Sequence, residues 1–189
     1  MTKAEIRKLY SVKRQELSHS DLLKLDDLLL IQFQKMSFPG VELLLSYMPM
    51  QHKTEPNATL YTRYFFHMNP GVHIAYPVTD FRNLSMQAFV VNEDTAFIET
   101  KQGIAEPVDA LLVEPEAIDM VFVPFLACDK KGYRVGYGKG FYDRFLKECR
   151  PDIIKLGFSY FDPVEEISDV EPFDVPLDYC ITPQAVFKF

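Results

Sequence analysis

Apolar residues recur at helical spacing in four segments of the chain, with charged and polar residues between them. Residues 3–17 alternate Ile6, Leu9 and Tyr10 with basic residues, which predicts an amphipathic helix. A second helix is predicted to follow a cap at Ser18 or Ser20 and to stop at residues 38–40, which read Phe-Pro-Gly. Residues 57–68 and about 140–149 show the same period, so four helices are expected.

Short apolar runs separate these helices and are typical of buried strands. They predict strands at residues 41–48, 72–78, 118–124, 153–159 and 178–182. Residues 86–91 and 96–99 alternate between apolar and polar positions, which predicts a pair of exposed strands. Residues 103–107, reading Gly-Ile-Ala-Glu-Pro, are interpreted as a turn-rich stretch.

Helices alternating with short strands that are apolar on both faces indicate an α/β fold with a mostly parallel sheet sandwiched by helices. No linker-like stretch or internal repeat divides the chain, so residues 1–189 are predicted to form a single domain. Ligands of such sheets bind beyond the carboxyl ends of the strands. Three segments are expected at such ends: the loop before the last helix and residues 49–55 and 77–82.

Composition narrows the function classes. The formal net charge is −7, which argues against nucleic acid as the main partner. Three widely spaced cysteines (Cys128, Cys149 and Cys180) form no Cys-x-x-Cys pair and are expected to be reduced structural thiols. The N-terminal segment lacks a signal-peptide core, and no apolar run reaches the length of a membrane span. We therefore expect a cytoplasmic protein without a membrane partner.

One segment departs from the acidic character of the chain. Residues 129–144 read DKKGYRVGYGKGFYDR and contain five basic residues, two acidic residues and four glycines. Glycines let backbone N–H groups approach a ligand, and Lys or Arg add charge-assisted hydrogen bonds to phosphate oxygens. The spacing fits neither the Walker loop nor the dinucleotide-binding Gly-x-Gly-x-x-Gly pattern. The segment predicts a phosphate-binding loop of another kind, joining a strand directly to a helix.

Individual residues leave alternatives open. Lys139, between two glycines, is predicted to reach a β- or γ-phosphate. Asp143 in the first turn of the helix either complements the helix dipole or binds Mg²⁺ with the phosphates. Lys3 and Arg7 lie four residues apart on one helical face, which is either a solvated basic face or an anion site.

Three further residues are interpreted from their positions in the predicted elements. Arg14, one heptad after Arg7, is interpreted as a surface residue. Glu55 after a strand end is a candidate substrate-orienting carboxylate. Tyr137 between two glycines is expected to be exposed and able to stack on a flat heterocycle.

The glycine-rich segment closely resembles the signature of the 5-formyltetrahydrofolate cyclo-ligase family. The matching positions are Pro124, Asp129, Gly132, Arg134, Gly136, Gly138, Gly140, Phe141, Tyr142, Asp143 and Leu146. Lys3 and Arg7 resemble the family's opening Lys-x-x-x-Arg, and residues 103–107 its Gly-Ile-x-Glu-Pro motif. The family resemblance implies a fold like that of ribose-5-phosphate isomerase and the CoA transferases. It also implies an enzyme that cyclises 5-formyltetrahydrofolate to 5,10-methenyltetrahydrofolate with ATP and Mg²⁺, through a phosphorylated formyl group.

The resemblance also implies roles for particular residues. Catalysis is expected to involve Lys139 and Arg134. ATP is expected to contact Lys3, Arg7, Arg134, Gly136, Tyr137, Gly138, Lys139, Gly140 and Tyr142. The folate is expected to contact Met48, Met50, Glu55, Tyr137, Gly138, Lys139, Gly140 and Phe141. The expected metal ligands are Asp143 and Asp174, and the expected state is a monomer. The alternatives are a non-catalytic nucleotide- or folate-binding relative and a sugar-phosphate isomerase-like enzyme of the same fold.

Overall fold

Capping side chains determine where the helices begin in the computed structural model, which describes residues 1–189. Thr2 caps α1 (Lys3–Gln15) and Ser18 caps α2 (His19–Phe33), each through a capping box with the acidic residue three positions on. Asn57 accepts a backbone hydrogen bond at the start of α3 (Ala58–Met68). Gly140, at φ +66°, begins α4 (Phe141–Glu148). The four predicted helices are confirmed.

Twelve strands complete the structure. In chain order they are β1 (Leu43–Leu45), β2 (His73–Asp80), β3 (Ser85–Val91), β4 (Phe97–Glu99), β5 (Ala105–Pro107), β6 (Leu111–Val113), β7 (Met120–Phe122), β8 (Ala127–Cys128), β9 (Arg134–Val135), β10 (Ile154–Phe158), β11 (Tyr179–Ile181) and β12 (Val186–Lys188).

Eight of these strands form one sheet in the order β12-β11-β10-β7-β1-β2-β3-β6. The five central strands, β11 to β2, are all parallel, whereas β12, β3 and β6 add to the edges in antiparallel orientation. The register places Leu44 opposite Ile74 on one side and Met120 on the other. The predicted α/β fold with a mostly parallel sheet is therefore confirmed.

Helices cover both faces of this sheet because alternate strand residues point to opposite sides. Helices α2 and α3 pack on one face, where Leu29, Phe33 and Phe65 share a buried cluster with Leu44 and Phe122. Helix α4 packs on the other face, where the buried cluster includes Leu45, Val121, Phe145 and Leu146. All three cysteines are free and buried. No helix combines the length and the apolar composition that crossing a membrane requires.

Two predictions of local structure are wrong. The strand β3 does not pair with β4; it pairs with β2 and β6, and its Met86 and Ala88 are buried. The strand β4 pairs instead with β5, which lies in the stretch interpreted as a turn. The alternation of apolar and polar residues reports that the two faces of each strand differ in exposure. It does not determine which strand pairs with which.

The glycine-rich segment opens directly into α4 as predicted, but it does not follow directly on the predicted strand at residues 118–124. A hairpin of β8 and β9 comes between β7 and α4. Buried Asp129 holds its turn, accepting hydrogen bonds from the backbone N–H groups of Lys131, Tyr133 and Ile167. Helix α1 packs beside this hairpin through Ile6 and Tyr10. This contact brings the N-terminus of the chain to the glycine-rich loop.

Candidate active site

A cavity of about 460 Å³ opens at the carboxyl ends of the parallel strands β1, β2 and β7. Residues following these strands form one wall, including Tyr47, Met48, Phe81 and Pro124. The opposite wall is the loop at residues 136–140 together with the first turns of α1. The cavity lies where parallel α/β sheets ordinarily bind ligands, as the sequence predicted.

Every residue predicted to contact ATP, folate or metal lines this one cavity. From α1 come Lys3 and Arg7, and from the segment after β1 come Met48, Met50 and Glu55. The glycine-rich segment and its helix contribute Arg134, Gly136, Tyr137, Gly138, Lys139, Gly140, Phe141, Tyr142 and Asp143, and the C-terminal region contributes Asp174. The structure thus brings together residues 171 positions apart, whereas the roles assigned to them remain predictions.

The glycine loop is held against helix α1. The Arg7 Nε donates to the backbone oxygen of Gly136 at 2.9 Å. Gly138, at φ +89°, has the left-handed conformation that side chains disfavour, and a Cβ there would lie 3.5 Å from the Arg7 guanidinium carbon. The loop therefore passes close to a cation while its backbone faces the cavity.

The basic residues of the segment do not act together as the sequence suggested. Lys130 and Lys131 are on the hairpin turn, where they form exposed ion pairs with Glu165 and Glu166 away from the cavity. Arg144 donates to the backbone oxygens of Leu84 and Lys139. Only two of the five basic residues, Arg134 and Lys139, line the cavity. The positive balance of the segment therefore overstated its capacity for anions.

Arg134 is buried and paired with the candidate metal ligand Asp143. Its Nη1 lies 3.0 Å from Asp143 Oδ1, and the guanidinium also donates to the backbone oxygen of Val175. Burial lowers the pKa of Arg134, and the carboxylate of Asp143 opposes that shift. The predicted phosphate contact of Arg134 would therefore require a ligand to reach a side chain that is only 5% exposed.

Asp143 and Asp174 each have one carboxylate oxygen that could bind a hard cation. Asp143 Oδ1 accepts from Arg134 and from the Val175 N–H, and Asp174 Oδ2 accepts from Lys3 and the Glu171 N–H. The second oxygen of each carboxylate has no hydrogen bond to the protein. Mg²⁺ in proteins commonly uses one or two carboxylates with the remaining positions taken by water and phosphate oxygens. The donor set fits such an ion.

Glu55 is buried at the base of the cavity. Its Oε2 accepts the Met50 N–H at 2.7 Å, and its Oε1 accepts the Tyr137 hydroxyl at 2.6 Å. Burial raises the pKa of Glu55, while these two hydrogen bonds lower it. Tyr137 was expected to be exposed for stacking, but it is half-buried and its hydroxyl is committed to Glu55. The Glu55 carboxylate and the glycine loop are therefore directly connected.

Sequence reasoning missed two buried polar residues. Arg14, interpreted as a surface residue, is 1% exposed because the Phe125 and Tyr137 segments cover that face of α1. Glu106 lines the cavity and accepts hydrogen bonds from the backbone and hydroxyl of Thr79. Glu106 stood within a family motif at residues 103–107, which was the only signal available. Nothing in the helical period distinguished Arg14 from a solvated residue.

The fold and the cavity define an α/β protein with a ligand cleft at the carboxyl ends of its strands, lined by a glycine-rich loop that carries Lys139. The model of the 5-formyltetrahydrofolate cyclo-ligase family matches residues 2–183, and the chain belongs to this family. The resemblance stated from the sequence is confirmed.

Solved structures agree over nearly the whole chain. A 5,10-methenyltetrahydrofolate synthetase from Aquifex aeolicus matches with a TM-score of 0.80 and 28% identity, covering 100% of this chain and 93% of that one. The corresponding enzyme of Mycoplasma pneumoniae matches with a TM-score of 0.75 and 25% identity, covering 97% and 99%.

Curated relatives match over shorter stretches. A 5-formyltetrahydrofolate cyclo-ligase of Mycoplasma genitalium is 38% identical over 69 residues, which are 36% of this chain and 41% of that protein. The cyclo-ligase of Haemophilus influenzae is 39% identical over 87 residues, covering 44% and 46%. The matched region thus spans less than half the length of these two relatives.

Proposed function

We propose that the chain catalyses the ATP- and Mg²⁺-dependent cyclisation of 5-formyltetrahydrofolate to 5,10-methenyltetrahydrofolate, with release of ADP and phosphate. One observation carries the proposal: a single cavity combines a cationic wall with an apolar and carboxylate wall. The cations are Lys3, Arg7 and Lys139, and the second wall includes Met48, Met50, Phe81 and Glu55. A triphosphate suits the first wall, and a flat folate ring suits the second.

The chemistry explains why a nucleotide and a folate would share one cavity. A formamide carbon at N5 is a poor electrophile, and oxide is a poor leaving group. If the formyl oxygen attacks the γ-phosphorus, the bond to ADP breaks and the oxygen becomes part of a phosphate ester. N10 then adds to the formyl carbon and loses its proton, and the carbon–oxygen bond breaks as inorganic phosphate leaves. The methenyl bridge between N5 and N10 is the product.

Positioning and charge neutralisation are the contributions such a phosphoryl transfer requires from a protein. Lys139 is exposed in the loop and is assigned to the transferring phosphoryl group. Lys3 and Arg7 are assigned to the remaining phosphates, with the loop backbone at residues 136–140. Mg²⁺ held by Asp143 and Asp174 would neutralise phosphate charge. Arg134 keeps Asp143 oriented through their 3.0 Å ion pair.

The folate is assigned to the side of the cavity that contains Glu55. Met48, Met50 and Phe141 offer apolar contacts to the ring, and Tyr137 of the glycine loop reaches this region through its hydrogen bond to Glu55. The Glu55 carboxylate can accept hydrogen bonds from N–H groups of the reduced ring. This arrangement would hold the formyl oxygen towards Lys139.

The experiment that tests the proposal mixes the purified chain with 5-formyltetrahydrofolate, ATP and MgCl₂ and follows the near-ultraviolet absorbance of the methenyl product. The proposal predicts an absorbance rise that needs ATP and stops when a chelator removes Mg²⁺. Tight ATP binding without any methenyl product would contradict it and favour a non-catalytic nucleotide-binding relative.

A further inference from the structure

Arg14 carries a charge in a place where charges are costly. It lies in the last turn of α1 and is 1% exposed, and no carboxylate forms an ion pair with it. Its Nη2 donates to the Phe125 backbone oxygen, and its Nε has no hydrogen-bond partner. Burial of an arginine without a paired anion is strongly unfavourable unless nearby groups compensate for it. Such a residue requires an explanation beyond packing.

The remaining contact of Arg14 leads to the candidate active site. Its Nη1 donates to the Tyr137 hydroxyl at 3.4 Å, and the same hydroxyl donates to Glu55 Oε1 at 2.6 Å. Tyr137 therefore bridges a buried cation and a buried carboxylate, with the Tyr137 ring standing at the cavity wall. Arg14 itself does not line the cavity, so any effect on a ligand must pass through these two residues.

We propose that Arg14 is a positioning residue of this active site: its buried charge, acting through the Tyr137 hydroxyl, holds Glu55 as an oriented carboxylate facing the folate. This inference rests on the proposed function for the role of Glu55, but its structural part does not. The same contact also fixes the position of the glycine loop, because Tyr137 lies between Gly136 and Gly138.

The electrostatics of the site agree with the geometry. Burial is the largest influence on the Glu55 pKa and raises it, whereas the Tyr137 hydrogen bond, the Met50 N–H and the charge of Arg14 lower it. His52, exposed at the cavity mouth, lowers it further. The other titratable groups that interact with Glu55 are phenols whose own pKa values burial raises: Tyr47, Tyr137, Tyr142 and Tyr160. These phenols remain neutral at physiological pH, which leaves Arg14 as the permanent buried charge acting on Glu55.

The test compares Arg14→Gln, which removes the charge, with Arg14→Lys, which keeps it. Carbon-13 NMR of labelled glutamate carboxylates gives the Glu55 pKa directly, and the Glu55→Gln spectrum identifies its signal. In Arg14→Gln the Glu55 pKa is expected to rise, because the charge of Arg14 that lowers it is gone, and the acid limb of kcat/KM for 5-formyltetrahydrofolate should move up with it. In Arg14→Lys both should stay near their wild-type values. If Arg14 has only a structural role, both variants should be less stable, and neither the Glu55 pKa nor the acid limb of kcat/KM should move.

A second measurement applies if Arg14→Gln does not fold. In the wild-type protein, the nitrogen-15 signal of Arg14 Nε should shift with pH at the Glu55 pKa, and that step should vanish in Glu55→Gln. The inference is overturned if Arg14→Gln leaves the Glu55 pKa unchanged, if Arg14→Lys changes it as much, or if the Arg14 signal shows no step. A wild-type protein without turnover would refute the proposed function alone, because both NMR titrations are independent of activity.

Discussion

Lys139 offers a direct test because its side chain contributes little to the fold. It is exposed and forms no hydrogen bond or ion pair through its ammonium group. Only its backbone oxygen is used, as the acceptor for Arg144 Nη2 at 2.6 Å. The substitution Lys139→Ala preserves that backbone contact and changes only the charge presented to the cavity.

The two expected magnitudes differ enough to separate a structural from a catalytic role. Truncating an exposed side chain without partners should change the unfolding free energy by less than about 0.5 kcal/mol. Removing a cation that stabilises charge only in the transition state should lower kcat by about 10²–10³-fold, or about 3–4 kcal/mol. The loss in activity should therefore far exceed the loss in stability.

The matched control is Lys131→Ala, eight positions earlier in the same basic segment. Lys131 forms an exposed ion pair with Glu166 outside the cavity, and such solvent-exposed pairs contribute little to stability. Steady-state assays of methenyl formation, with denaturant unfolding of the same preparations, should show wild-type kcat for Lys131→Ala. The reasoning is refuted if Lys139→Ala keeps kcat within about twofold of wild type, or if both lysine variants lose activity equally.

Three further substitutions test other parts of the structure. In Gly157→Ala the new Cβ would lie 2.2 Å from the Phe125 ring, so the free energy of unfolding in urea should fall by about 1–3 kcal/mol. An unchanged urea midpoint would contradict this packing. In Asp143→Asn the buried Arg134 loses its anionic partner, so the free energy of unfolding should fall by about 2 kcal/mol. The Mg²⁺ concentration needed for half-maximal activity should also rise. If neither value changes, Asp143 is neither a stabilising partner of Arg134 nor a ligand of Mg²⁺. Asp26 accepts hydrogen bonds from two tyrosines, and burial raises its pKa above the unfolded value, so its stabilising contribution is present at acid pH and declines as pH rises through the folded pKa. Asp26→Asn should therefore become more stable relative to wild type as the pH rises above the unfolded-state pKa of about 4, and a pH-independent difference in unfolding free energy would contradict this.

The local signals of the sequence were sufficient for the helices and the central strands. Ser18 caps α2 as predicted, because capping depends on residues within one turn. The cavity at the strand ends also followed from the parallel arrangement, since loops after parallel strands must meet at one edge.

Long-range contacts account for what the sequence did not reveal. The partner of β4 is β5 rather than β3, and the alternation along a strand does not specify its partner. The hairpin of β8 and β9 directs Lys130 and Lys131 to the surface, although their local sequence resembles the rest of the loop. Arg14 is buried by Phe125 and Tyr137, which are more than 100 positions away in the chain.

The fate of the formyl oxygen distinguishes cyclisation through a phosphorylated formyl group from any other route. The substrate is 5-formyltetrahydrofolate with oxygen-18 in the formyl group, incubated with the chain, ATP and MgCl₂, and the released phosphate is analysed by mass spectrometry. We expect one labelled oxygen in the phosphate for each methenyltetrahydrofolate formed, because that oxygen leaves attached to phosphorus. Unlabelled phosphate, or ATP hydrolysis without methenyl product, would contradict it.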